Sequence, residues 1–223
     1  MGKAIEKIAL ERGHEIAGRV DLNDSPPYPA ADVAIEFSQP ESAIKNIHQC
    51  VDQGIPVVCG TTGWLNQKEA VENYCRQHNG TLFYSSNFSL GVNIFFKINE
   101  YLARLMNRHA EYDVTIDETH HTQKRDAPSG TAITLAEGII KNLSRKKKWN
   151  IVETQQMELL LINSFRVDPD PGTHVVKYHS TFDDIEIRHK AHSREGFAVG
   201  AVLVAEWLAG KQGVLTMDDF LKF

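Results

Sequence analysis

The apolar residues of this chain switch between two periods, and the switches mark out an order of elements. From Gly2 to Gly13 they recur at helical spacing, with Ala4, Ile5, Ile8 and Ala9 on one face and Gly13 placed as a C-terminal stop. Residues 14–20 (HEIAGRV) read as a strand ending at Asp21, residues 23–30 as a proline-rich loop, and residues 32–37 (DVAIEF) as the next strand. Ser38 and Glu41 have capping-box spacing and Pro40 suits a first turn. A helix is therefore expected from Ser38, striped by Ala43, Ile44, Ile47 and Val51 and ended by Gly54. Residues 55–59 (IPVVC) form a short apolar run typical of a strand covered on both faces. A helix over about 66–78, with Val71, Tyr74 and Cys75 inward, and a strand at 81–86 complete an alternation that belongs to a parallel α/β sheet.

The pattern changes after a polar crossing at 87–93. A long amphipathic helix is expected over Val92–Arg108, with Phe95, Ile98, Leu102 and Leu105 as its apolar stripe. Residues 112–120, 175–181 and 184–192 alternate with period two, as strands do in a mixed or antiparallel sheet with one solvated or ligand-facing side. The last helix, 197–209, is apolar nearly all round and should be buried. Two domains follow: residues 1–88 with 201–223, and an inserted 89–200. The basic run Arg145–Lys148 reads as a solvated helix end.

Charge and composition narrow the function. Lys and Arg total 24 against 29 Asp and Glu, a net charge of -5, so the attraction that nucleic-acid binding draws on is missing overall. No apolar run approaches the roughly 20 residues that a membrane helix needs, and nothing at the start resembles an export signal; a cytoplasmic protein is expected. Cys50, Cys59 and Cys75 lack the spacing of a zinc or redox motif and are expected as buried free thiols.

Three places can carry chemistry. The opening helix, strand and acid have the order of the back half of a dinucleotide-binding βαβ unit, with Met1 and Gly2 at the end of a glycine turn and Asp21 at the ribose hydroxyls. Gly60, Thr61, Thr62 and Gly63 follow one predicted parallel strand, and Ser85, Ser86, Asn87 and Phe88 follow the next, so two turns can line a ligand crevice at the sheet's C-terminal edge; Phe88 also suits an ordinary core. The richest segment is 118–132, ETHHTQKRDAPSGTA, which follows a strand and opens a helix with the starting residues Asp126, Pro128, Ser129 and Gly130. Free backbone N–H groups there suit a carboxylate, Lys124 adds charge, and an imidazole titrating near neutrality can deliver a proton. A metal is not expected: adjacent His120 and His121 on a strand would point to opposite faces, and no H-E-x-x-H spacing occurs.

Residues 118–132 are similar to the signature E-x-H-H-x-x-K-x-D-x-P-S-G-T-A of the dihydrodipicolinate reductases. VVCGTTGW at 57–64 and NFSLGVN at 87–93 resemble that family's two cofactor segments in the same order. The resemblance spans nearly the whole chain and is looser over about 151–184. It implies an α/β protein with a Rossmann-like dinucleotide-binding domain and an α+β substrate and oligomerisation domain built on a mixed sheet. It further implies NADH- or NADPH-dependent reduction of a small cyclic imine dicarboxylate to tetrahydrodipicolinate, in lysine and diaminopimelate biosynthesis, by a homotetramer. His120 would be the proton donor and Lys124 its catalytic partner; His121, Ser129, Gly130 and Thr131 would hold the substrate; Gly60 to Thr62 and Ser85 to Phe88 would hold the nicotinamide half of the cofactor. Asp21 with no Arg directly after it favours NADH, because a carboxylate repels the 2′-phosphate of NADPH.

The family's first strand and full glycine loop precede the point at which this chain starts. The expectation is that Met1 is an internal methionine serving as a start; if the shortened form is genuine, cofactor affinity should be poor, and the alternative is a weakly active homologue that keeps the substrate domain.

Overall fold

The computed structural model describes residues 1–21, 24, 27–152 and 156–223. Leu22, Asn23, Ser25 and Pro26, in or beside the expected proline-rich loop, lie outside the described residues, as do 153–155. In chain order the first elements are α1 (Gly2–Glu11), β1 (Ala34–Glu36), α2 (Pro40–Asp52), β2 (Val57–Cys59), α3 (Lys68–Gln77) and β3 (Thr81–Tyr84). Then come α4 (Leu90–Met106), β4 (Asp113–His120), α5 (Gly130–Asn142), β5 (Lys148–Asn150) and β6 (Leu159–Arg166). The chain closes with β7 (Thr173–His179), β8 (Asp184–Lys190), α6 (Glu195–Leu208), β9 (Gly213–Leu215) and α7 (Met217–Leu221). Contacts divide it into two units, 1–90 with 195–223, and 91–194. The expected boundary at 200/201 falls within α6 (Glu195–Leu208).

The first unit is a parallel sheet of order β1-β2-β3-β9 with helices on both faces. Alternation along β2 decides which side each residue serves: Val58 packs with Ile5, Ile8, Phe83 and Ala201 in one core, while Val57 and Cys59 pack with Ala43, Ile47, Val71 and Cys75 in the other. All three cysteines are buried free thiols.

The second unit is a mixed sheet of order β5-β6-β4-β7-β8, in which β7 runs antiparallel to both its neighbours. Helices α4 and α5 cover one face, burying Phe95, Ala103, Leu135 and Ile139 against Val114, Ile116, Ile162 and Val176. Period two then puts Glu118 and His120 on this same covered face, at the C-terminal end of the central strand.

Several expectations change. Residues 14–20 form no strand: among the described residues they belong to neither sheet and their backbone is in no ladder. Ser38 does not cap α2; its hydroxyl turns back to Glu36, and Gln39 takes the cap position before Pro40. The stripe of α4 is rotated, since Val92, Phe95, Asn99, Ala103 and Met106 are buried while Ile98 and Leu105 are exposed. The helix expected last is followed by β9 and α7, and β6, unread in the sequence, pairs directly with β4. The basic run is not a solvated helix end. Arg145 donates to the carbonyls of Met106 and Tyr112, and buried Lys146 donates to the Leu159 carbonyl at 2.8 Å and meets Asp113 at 2.6 Å.

Candidate active site

The segment between β4 and α5 folds around one buried carboxylate. Glu118 is fully buried; its Oε2 accepts the Ser129 backbone N–H at 3.0 Å and its Oε1 lies 3.3 and 3.4 Å from the two terminal nitrogens of Arg166. Arg166 also donates to the carbonyls of Lys124 and Asp126 at 3.2 and 2.6 Å, so one guanidinium from β6 pins the whole loop. Ser129 is the N-cap of α5, its hydroxyl accepting from the Ala132 amide at 3.2 Å and meeting His174 Nε2 at 3.1 Å.

His120 stands in this network, 7% exposed, its ring edge-on to His174 with centroids 5.1 Å apart. Burial pushes its pKa down, and Lys124 and Arg166 push the same way, against the opposing pull of Glu118 and Asp126. His174 is lowered further, to about 4, chiefly by burial, so it is neutral at neutral pH. Burial would raise the Glu118 pKa, but Ser129, Ser164 and His120 together outweigh it and the carboxyl is held below its usual range. Lys124 Nζ is bound to both Asp126 oxygens, at 2.8 and 2.7 Å, and keeps that carboxyl low. His121, just past the end of β4, is half-buried, and its neighbour Thr122 is tied to Asp168 by backbone and hydroxyl at 3.0 and 2.6 Å. Gly130 opens α5 in the clear: a Cβ on it would meet nothing within 4 Å. With the Ala132 amide taken by Ser129, the amides of Gly130 and Thr131 are the groups that a helix start offers to an anion.

Glu118, His120 and His174 are also the one set of three ligand-type residues that converge among the described residues. Within the trio, Arg166 already sets a cation on Glu118 and Ser129 engages His174.

In the first unit, the C-terminal ends of β2 and β3 carry the two expected turns side by side, joined by the Ser85 amide donating to the Cys59 carbonyl at 3.2 Å. Gly60 lies close under Phe37: a Cβ there would fall 2.2 Å from the tip of that ring and would require it to move. Thr61 is buried, with its hydroxyl accepting the Ser38 amide at 2.8 Å and its carbonyl accepting the Trp64 indole at 2.7 Å; Thr62 and Ser86 are exposed. Ser85 Oγ donates to the Asn87 carbonyl at 2.7 Å, and Asn87 Oδ1 accepts the Ser89 amide at 2.9 Å. Met1 is the N-cap of α1, so Gly2 begins that helix at an exposed, small-residue start suited to a phosphate. Small, hydroxyl-bearing turns at the C-terminal edge of a parallel sheet fit a nicotinamide dinucleotide.

Residues 1–88 match the family description "Dihydrodipicolinate reductase, N-terminus" and residues 91–221 match "Dihydrodipicolinate reductase, C-terminus". The chain belongs to the dihydrodipicolinate reductase family. It is 46% identical over 99% of its length to the 4-hydroxy-tetrahydrodipicolinate reductase of Christiangramia forsetii, covering 93% of that protein. The corresponding enzyme of Archaeoglobus fulgidus is 38% identical, with 98% of this chain and 88% of that protein covered. A dipicolinate-bound dihydrodipicolinate reductase from Paenisporosarcina sp. TG-14 has the same fold, with a TM-score of 0.78, 19% identity, and 99% and 94% of the two chains covered. As a dihydrodipicolinate reductase this chain is a NAD(P)H-dependent oxidoreductase.

Within this reductase the structure brings His120, Lys124 and the start of α5 into one loop, and Gly60 to Thr62 beside Ser85 to Asn87. Two of the expected ligand residues are already engaged within the fold. The Ser129 hydroxyl is spent on capping α5 and on His174, in a residue only 3% exposed. The Phe88 ring is 2% exposed, packed on Phe37 and Phe83. Asp21 is exposed and ends no strand, its amide donating to Asp24 at 2.7 Å. Arg166 carries no signal in the sequence, and His174 stands there only as one of several imidazoles on later strands, because both reach the loop from β6 and β7, more than forty residues downstream of Glu118; only the pairing of those strands brings them there.

Proposed function

We propose that this chain reduces 4-hydroxy-tetrahydrodipicolinate, the substrate class named in its relatives, to tetrahydrodipicolinate in lysine and diaminopimelate biosynthesis. The observation that carries the reading is the loop in which a buried imidazole, an ammonium and an open helix start lie together at the end of β4. Loss of the 4-hydroxyl as water leaves a conjugated imine, and its reduction takes one hydride and one proton. The reduced nicotinamide, when bound, supplies the hydride; the chain itself must supply the proton. His120 is the donor, its protonated ring giving the proton to the electron-rich carbon beside the one that receives hydride. Lys124 holds the substrate and assists that transfer, while His121 and the amides of Gly130 and Thr131 hold its carboxylates.

Gly60 to Thr62 and Ser85 to Asn87 hold the nicotinamide half of the cofactor, Met1 and Gly2 lie at its phosphates, and Asp21 meets the ribose with a slight preference for NADH. The sheet face opposite α4 and α5, carrying Thr115, Asp117, Leu161 and the half-exposed Phe165, supports assembly of a homotetramer through this sheet. No helix among the described residues is long and apolar enough to cross a membrane, and the proposed setting is the cytoplasm.

The test is oxidation of NADH and NADPH by purified protein with enzymatically generated substrate. His120→Ala should lower turnover by roughly a hundredfold or more while leaving NADH affinity unchanged. Wild-type turnover in that variant removes His120 from its role, and no oxidation by the unmodified chain refutes the reading as a whole.

A further inference from the structure

We propose that Glu118 is a positioning residue for His120, keeping the Nδ1 edge of the ring protonated and turned inward so that Nε2 is the edge that exchanges the proton. The proposal rests on the reading of His120 as proton donor. Its geometry begins with period two in β4, which sets both side chains on the covered face. Arg166 on Oε1 and the Ser129 amide on Oε2 fix the carboxylate, leaving Oε2 3.4 Å from His120 Nδ1 and 3.8 Å from His174 Nε2. His120 Nδ1 is sealed from solvent and, despite that distance, makes no hydrogen bond of proper angle. A lone pair on Nδ1 would face a carboxylate oxygen across this gap and be repelled; an N–H would be attracted and needs only a small ring rotation to bond. The neutral ring is thereby held as the Nδ1–H tautomer, and the proton of the charged ring that leaves is the one on Nε2.

The Nε2 edge is kept clear by Gly172, where a Cβ would come within 3.2 Å of Nε2. The groups facing the ring are Glu118 on its own strand, Lys124 and Asp126 in the loop, Arg166 on β6 and His174 on β7. Of the two anions that offset burial and the two cations, Glu118 acts more strongly than Asp126, whose oxygens are both bound by Lys124, and His174 is uncharged at neutral pH.

Glu118→Gln tests this, because an amide oxygen can still accept the Ser129 N–H while the charge is gone. The expected result is a fall in kcat of roughly ten- to a hundredfold near neutral pH with KM for the cofactor unchanged. The descending, alkaline limb of the pH profile of kcat/KM should move by about one unit or more toward acid, so that activity partly returns at lower pH. Glu118→Asp, which restores the carboxylate, should move the limb back. An equal loss at every pH with the limb in place would overturn the proposal and leave Glu118 a purely structural carboxylate. Should the Gln variant fail to fold, nitrogen NMR of the histidine-labelled wild-type protein decides: neutral His120 protonated on Nδ1 supports the proposal, and protonation on Nε2 defeats it. His120→Ala with undiminished turnover would instead sink the proton-donor reading, an outcome that the tautomer measurement does not share.

Discussion

Gly200 lies against the backbone of Phe88, so closely that a Cβ on Gly200 would fall 1.8 Å from the Phe88 carbonyl oxygen. In an ordinary helix interior, replacing Gly by Ala gains about 1 kcal/mol. Here the methyl group would overlap backbone that cannot rotate away, and overpacking of that kind costs about 1–3 kcal/mol or more. Gly200→Ala should therefore lower stability by about 2 kcal/mol, read as a reduced midpoint in urea unfolding; a neutral or raised midpoint contradicts the close approach.

Gly172 should be intolerant for a reason tied to chemistry. Its φ of 152° disfavours a side chain and its Cβ would press on His120 Nε2. Gly172→Ala is expected to cost about 1–2 kcal/mol of stability and to reduce kcat by roughly tenfold or more through the displaced ring. Steady-state kinetics checks it: wild-type kcat would show that the ring is free to yield.

Glu206 joins α6 to the end of α1, its carboxylate bound by Arg12 at 2.6 and 2.8 Å and by His14 at 2.8 Å. The Arg12 hydrogen bond brings its pKa from the ordinary 4.5 down to about 2. A carboxyl whose folded pKa is lowered stabilises the fold above the unfolded value, and that contribution disappears as pH falls from about 5 to about 2. The pair is partly exposed, so solvent screening limits it to about 1 kcal/mol. Glu206→Gln should be less stable than wild type by that amount at neutral pH and equal to it near pH 2. A difference that persists unchanged in acid would mean packing, not charge, is responsible.

Lys146 is 2% exposed and is the hydrogen-bond donor to the Leu159 carbonyl where β6 begins. Lys146→Met keeps the stem but strands that carbonyl and frees Asp113, which is itself half-exposed. The expected loss is about 2 kcal/mol, measured by thermal or chemical unfolding, with little change in KM because the substitution lies away from His120. A surface-like effect of under about 0.5 kcal/mol would return the residue to the solvated role that its charged neighbours suggest.

Much of the chain could be read in one dimension because the signals are local. Alternation in 112–120 and 175–192, the cap at Ser129 and the stops at Gly13 and Gly54 depend on a few neighbouring residues, and the structure has each of them. The segment 118–132 was legible for the same reason: imidazole, ammonium and helix start occupy one continuous stretch. Residues 14–20 show the opposite case, for a strand-like segment makes a strand only if it pairs with another strand that accepts its hydrogen bonds.

The sequence by itself determined the α/β class, the alternation of elements from Ala34 to Tyr84, the family and the residue types of the candidate site. Tertiary structure alone decided what each of those residues is attached to. The Ser129 hydroxyl is hydrogen-bonded and the Phe88 ring packed within the fold, and Lys146 is buried because β6 comes to lie beside β4. Arg166, Gly172 and His174 entered the site through strand pairing across long stretches of chain. Hydrogen bonds and burial are three-dimensional quantities, and no spacing along the chain encodes which distant backbone will meet a given side chain.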